Sequence, residues 1–207
     1  MKISKKIFLI VFAVIVIFCG ALVITNSLAK CLKEEKAKIY NVKIHPINKT
    51  TFKITWKTDK ETFGEVIIEN QNKVNEILKK CFHCNLTGNL VIKEGEDIKD
   101  ALKRYNCSFK VKHNKIFFVH NKNLYDFCTS YTQDKKYISC LIKKDNHFQK
   151  THSVVLDILQ PKTEYNLKVR AYFNCKDPIV GFTQIYSEKM VKFKEENKNF
   201  NASSFGH

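Results

Sequence analysis

The residues best equipped for chemistry are eight cysteines and seven histidines. Cys81-Phe-His-Cys84 has the spacing of a dithiol redox site, or of half a metal site. A redox dithiol wants a helix opening directly after it, because a helix N-terminus lowers the thiol pKa. The next residues, Asn85-Leu-Thr-Gly-Asn89, read as a turn instead. Zinc requires two further ligands at a second short spacing. His83, Cys107, His113, His120 and Cys128 are available, but no second CxxC and no HxxxH occurs. Cys81, Cys84, Cys107 and Cys128 are therefore the zinc candidates, and structural disulfides are the leading reading. No nucleophile elbow, phosphate loop, HExxH or interpretable carboxylate pair is present. The expectation is a non-catalytic chain with no cofactor.

The disulfide reading rests on where the chain goes. MKISKK precedes an unbroken apolar run, residues 7–24. Lysines before such a run mark a secretory route, with the lysines kept on the cytoplasmic side. The run is long for a signal peptide and barely long enough to span a bilayer. Ser27 and Ala29, however, offer small residues for cleavage. Residues 1–29 are thus a signal peptide or a signal anchor. The chain from Lys30 onward is expected to face outward, membrane-tethered or secreted. In an oxidising compartment Cys81, Cys84, Cys107, Cys128, Cys140 and Cys175 are disulfide candidates of undetermined connectivity, with Cys31 as the odd one. Asn48, Asn85, Asn106 and Asn201 each begin a glycosylation acceptor triplet.

Lys and Arg number 36 against 20 Asp and Glu, a formal net charge of +16. Such a balance favours an acidic glycan or an anionic membrane surface as partner. The lysines are scattered singly, and no basic block interleaved with aromatics speaks for nucleic acid.

These residues need elements to position them. After a spacer at 30–38, Tyr40, Val42 and Ile44 alternate with polar residues, as a strand requires. Phe52, Ile54 and Trp56 mark one face of a second strand, and a polar loop then leads to a third at FGEVIIEN. THSVVLDIL places Val154, Leu156 and Ile158 on one face. LQPKTEYNLKVRAYF holds Leu159, Tyr165, Leu167, Val169 and Ala171 at one parity, with Pro161 supplying a turn before the strand. IYSEKMVKFK is the last strand, and residues 196–207 form a polar tail expected to be disordered. Between 70 and 150 the pattern is mixed. Ile98, Leu102 and Tyr105 have helical spacing, with acids early and bases late. SFKVKHNKIFFV suggests a hairpin about His113-Asn114, and KYISCLI another strand.

Short alternating strands separated by turns indicate an all-β sandwich. FKITWKTDKE, THSVVLDILQPKTEYNLKVRAYF and YSEKMVKFK resemble the B, E–F and G strands of a fibronectin type III domain. Trp56 matches that family's core tryptophan, and Leu159, Pro161, Thr163 and Tyr165 match its L-x-P-x-T-x-Y corner. His152, before the E strand, belongs to the same resemblance and reads as a polar residue at the sandwich edge. The resemblance implies that the Tyr165 ring is buried and its hydroxyl bonds backbone upstream. It covers residues 39–69 and 151–195. The expected architecture is an immunoglobulin-like β-sandwich at 39–195, with an inserted α+β subdomain at about 70–150 that disulfides staple. The expected function is protein–protein binding or adhesion through Asn174–Thr183 and parts of 85–150. Electrostatic attachment to an acidic glycan or lipid, and a zinc-stabilised insertion, are the alternatives.

Overall fold

The computed structural model describes residues 35–132, 135–161, 163–177 and 181–194. The apolar run at 7–24, Cys31, Asn201 and the polar tail lie outside them. Among the described residues no helix is long and apolar enough to cross a membrane.

The chain is mostly antiparallel β-sheet. Its strands are β1 (Ile39–Pro46), β2 (Phe52–Ile68), β3 (Val91–Ile92), β4 (Phe109–Lys112), β5 (Lys115–His120), β6 (Asn123–Thr132), β7 (Lys135–Leu156), β8 (Glu164–Asp177) and β9 (Gly181–Lys194). Two helices, α1 (Gln71–Cys81) and α2 (Ile98–Arg104), lie between β2 and β4. The strand order is β4-β5-β6-β7-β2-β8-β9, with β1 pairing β2 and β3 pairing β7 off that path. Residues 37–171 and 187–194 form one compact unit. Residues 172–177 and 181–186 belong to a second, in which the Gln184 amide donates to Asn174 Oδ1 at 3.3 Å.

Alternation decides which faces are buried. Phe52, Ile54 and Trp56 are buried on β2, as are Tyr165, Leu167, Val169 and Ala171 on β8. The expected polar loop at 59–62 does not interrupt β2, which continues through to Ile68. The ladder to β7 instead shifts register between Lys57 and Thr62 and again between Thr62 and Gly64. Bulges of this kind bend a strand without ending it. Each long strand therefore has two halves: 52–57 pairs with 151–156, and 64–68 with 141–145. β1 lies against the first half of β2.

Residues 70–150 are continuous with what flanks them, because β7 starts inside that segment and runs on to Leu156. Phe82, Phe118, Tyr125 and Leu141 belong to the same buried cluster as Trp56 and Tyr165. α1 buries Val74, Ile77, Leu78 and Cys81, the one-face spacing of a helix, and the Asn70 side chain caps it by accepting from Lys73 N at 3.2 Å. α2 contains the expected Ile98 and Leu102, with Tyr105 as its C-cap, and is capped at its start by Asp97, which accepts from Lys99 N at 2.7 Å. The hairpin β4–β5 turns at His113 and Asn114, and β5–β6 at Asn121 and Lys122. All four have positive φ, the requirement of a two-residue turn whose twist matches the strands.

Candidate functional site

Among the described residues two disulfides form, Cys84–Cys107 and Cys128–Cys140. The first ties the loop after α1 to the end of α2, where Asn85 N donates to Tyr105 O at 2.7 Å and Ser108 N to Phe82 O at 2.7 Å. The second crosses adjacent strands at a directly paired position, with a register shift beside it. Cys81 is not in a disulfide, which corrects the expectation for it. Its Sγ faces the core from the last turn of α1, near Ile158 O at 3.8 Å and Gln160 Nε2 at 3.6 Å. Burial, with the nearby Asp157 charge, pushes its pKa to about 11, so the thiol stays protonated and inert. Cys84 is joined to Cys107, so Cys81 and Cys84 form no dithiol. Of the zinc candidates, Cys84, Cys107 and Cys128 lie in disulfides, where the sulfur is no thiolate ligand. Among the described residues no group of three or more His, Cys, Asp or Glu is placed to hold a metal. Nothing is described of the Cys175 side chain.

His152 is not an edge residue. It is 0% exposed and stacks on Trp56, directly opposite it in the β2–β7 ladder, with ring centroids 5.0 Å apart. Gly64 makes room for this stack. A Cβ there would lie 2.4 Å from Trp56 Cζ2 and 2.8 Å from His152 Nδ1. The His152 ring bridges Thr62 Oγ1 at 2.9 Å and Asp145 Oδ2 at 3.2 Å. Burial holds the imidazole below its ordinary 6.5. The neutral ring then donates through Nδ1 to the carboxylate and accepts the Thr62 hydroxyl at Nε2. Burial opposes the Asp145 charge, but hydrogen bonds from His147, Ser153 and Gln149 outweigh it and lower the pKa. The hydroxyl–imidazole–carboxylate order is that of a nucleophile with its base. Here Thr62 and His152 are both wholly buried, so no substrate carbonyl reaches the hydroxyl. The trio braces the core. Trp56 Nε1 finds no acceptor among the described residues.

A second buried network joins β6 and β7. Tyr125 donates a short hydrogen bond to Asp157, and Asn123 Nδ2 donates to the other carboxylate oxygen at 3.0 Å. Lys143 Nζ donates to Asn123 Oδ1 at 2.8 Å and stands 4.8 Å from the Tyr125 ring centre. Burial, and the bond to Asp157, raise the Tyr125 pKa so that the phenol keeps its proton. Desolvation lowers that of Lys143.

The corner residues lie at the β7–β8 connection. Leu159 and Tyr165 are buried, and Tyr165 accepts from Gln160 N at 2.8 Å. Thr163 Oγ1 donates to Pro161 O at 3.2 Å. Burial raises the Tyr165 pKa to about 12, keeping the phenol neutral.

The acceptor asparagines Asn48, Asn85 and Asn106 are exposed. Asn48 Oδ1 accepts from Thr50 N at 2.9 Å.

The open surface offers a cleft of about 580 Å³ whose walls are set by strand pairing. Tyr131, Lys136 and Ile92 stand side by side across β6, β7 and β3, because Tyr131 pairs with Lys136 and Lys136 with Ile92. The turn at 93–96 forms the other wall, with Gly95 at φ +70°. Arg104 locks that turn. Its Nε donates to Glu96 Oε1 at 2.9 Å, and its Nη2 to Glu96 Oε2 and to Val91 O, both at 2.8 Å. The Arg104 hydrogen bond, and one from Lys93 N, lower the Glu96 pKa to about 2. Tyr131, 71% exposed, projects beside this rigid wall with Lys136 Nζ 5.9 Å from its ring centre. Sequence reading missed this cleft because Lys136 and Ile92 meet only through the β3–β7 pairing. The exposed tyrosine in KYISC's partner strand was the available signal.

Compared with family models, curated proteins and solved structures, the chain has no match in any of the three.

Proposed function

We propose that this chain is an extracytoplasmic, fibronectin type III-like β-sandwich that acts without catalysis, by protein–protein contact at the Tyr131 cleft. Two layers are supported by the strand pairing. β1, the first half of β2 and the last part of β7 make one layer. The second half of β2, the middle of β7, β8 and β9 make the other. Phe52 on the first packs edge-on against Phe193 on the second at 4.6 Å, although their strands are not paired at that point. Face-to-face layers bring such residues together. The Tyr165–Gln160 bond supports the same reading, since it is the corner that the resemblance implies.

The observation that carries the binding role is the exposed Tyr131 beside a turn immobilised by Arg104. A rigid aromatic on an ordered wall contributes contact area at low entropic cost. The two disulfides suit an oxidising compartment. The Asn174–Thr183 loop expected as the other contact region belongs instead to β8 at 174–177 and to β9 at 181–183, and of its side chains only Asn174 is described.

A photo-crosslinking residue placed at 131 is expected to capture one discrete partner. The same residue at the exposed Lys99 is expected to capture none. Identical products from both positions would remove the cleft from the interface.

A further inference from the structure

The β4–β5 hairpin carries charge that no described acidic residue pairs with. Between Asp100 and Asp126 the chain has Lys103, Arg104, Lys110, Lys112, Lys115 and Lys122, and no Asp or Glu. Lys103 pairs with Asp100 and Arg104 with Glu96. Among the described residues Lys110, Lys112 and Lys115 have no ion pair, and all three are exposed.

Register puts these three on one face. Lys112 stands directly opposite Lys115, and Lys110 opposite Phe117, while Phe109, Ile116 and Phe118 turn to the core. Strand rise separates Lys110 from Lys112 by about 6.7 Å along a straight line. Like charges directly opposite one another destabilise a strand pair, so the Lys112–Lys115 pair is an unfavourable arrangement in the free protein. β4 is also the last strand of its sheet path, so Lys110 and Lys112 lie on an edge that no described strand covers, with Lys115 next to them on β5. The exposed His113-Asn114 turn leaves its end open.

We infer that this hairpin edge docks a linear sulfated polysaccharide. A narrow cluster of cations, two along β4 and a third across from Lys112 on β5, matches a slender chain that carries anions at intervals. A bilayer surface would call for a broad plane of charge with an apolar wedge beside it, and Val111, the hairpin's exposed apolar residue, lies on the opposite face to the lysines. The hairpin is outside the segments that resemble fibronectin type III strands, and the site does not depend on the Tyr131 cleft.

The outer face of β1 and β2 supplies an internal control. Lys53 and Lys57 are exposed there on β2, which is flanked by β1 and β7, and Lys43 on β1, which pairs with β2 alone. The full chain in non-ionic detergent would be tested on immobilised heparin, with desulfated heparin as comparator. K110E/K112E/K115E is expected to lose affinity by at least about tenfold, and the K43E/K53E/K57E triple by under about threefold, near physiological salt. K110Q/K112Q/K115Q, which removes charge without adding acid, is expected to lose an intermediate amount. Equal losses from both glutamate triples would overturn the site, as would absence of retention on heparin. Binding to phosphatidylserine vesicles or poly-glutamate as tight as to heparin would overturn the choice of ligand.

Discussion

Of the three buried carboxylates among the described residues, Asp145 and Asp157 are satisfied in different ways. Asp145 sits where the β2–β7 ladder shifts register, and both its oxygens are occupied by backbone and side-chain N–H groups of its own strand, from His147, Gln149, His152 and Ser153. Asp157 lies just past the end of β7 and is held by side chains of β6, Tyr125 and Asn123, with Lys143 attached through the Asn123 amide. The first network is local and bends one strand; the second is long-range and fastens residues 123–143 to the β7–β8 connection. A local network resists any change in the bend it stabilises. A long-range one holds two segments together but leaves each strand able to form alone.

That contrast is open to direct attack, and the largest effect is expected at Asp145. Asp145→Ala strands several buried donors at once and should cost about 3–4 kcal/mol in denaturant unfolding. A cost equal to that of Tyr125→Phe would erase the distinction between the networks. Gly64→Ala comes next, at about 2–3 kcal/mol, because the new methyl meets two stacked rings held between strands. Trp56 fluorescence should change with it, since this is the one tryptophan of the chain. A shift in stability without any change in emission would mean that the stack adjusts elsewhere. Tyr125→Phe removes one donor to Asp157 and the acceptor for Asp157 N, and about 2 kcal/mol is expected.

The smallest effect concerns pH. The His152 pKa is depressed in the folded state, so below about 6.5 the unfolded chain takes up a proton that the folded chain refuses. Stability therefore falls as pH drops below that value. Asp145 adds a further loss below 3.8, where its unfolded form protonates first. Glu65 works the other way, because burial raises its pKa above 4.5 despite Arg170 and Lys144. Between pH 7 and 5 the His152 contribution should show as a loss of stability, read from melting curves. His152→Gln should flatten that limb; an unchanged slope would show that another group titrates there.

Much of the strand scaffold was legible because burial on a strand needs only alternation. Phe52, Ile54 and Trp56, and Tyr165 through Ala171, are buried on the side that their parity indicated. The hairpin at His113-Asn114 followed from two residues that tolerate positive φ. α1 was equally readable from Val74, Ile77, Leu78 and Cys81 behind an Asn cap, but a Cys-x-x-Cys at its end drew attention to chemistry rather than period. The Thr62 loop was misread because a bulge leaves polar residues inside a continuing strand. The Tyr131 cleft was out of reach, since Ile92 and the turn after it join Tyr131 and Lys136 only through the β3–β7 pairing of segments far apart in sequence.

What the amino-acid order alone determined is local: which side chains share a face, where the chain turns, and how helices α1 and α2 are capped. These depend on residue period and on backbone sterics within a few positions. Tertiary structure alone decided which cysteines meet, that Cys81 stays a buried thiol, and that His152 lies under Trp56 against Asp145. Each of those depends on register between distant strands, and a shift of a single residue would turn every such side chain to the opposite face.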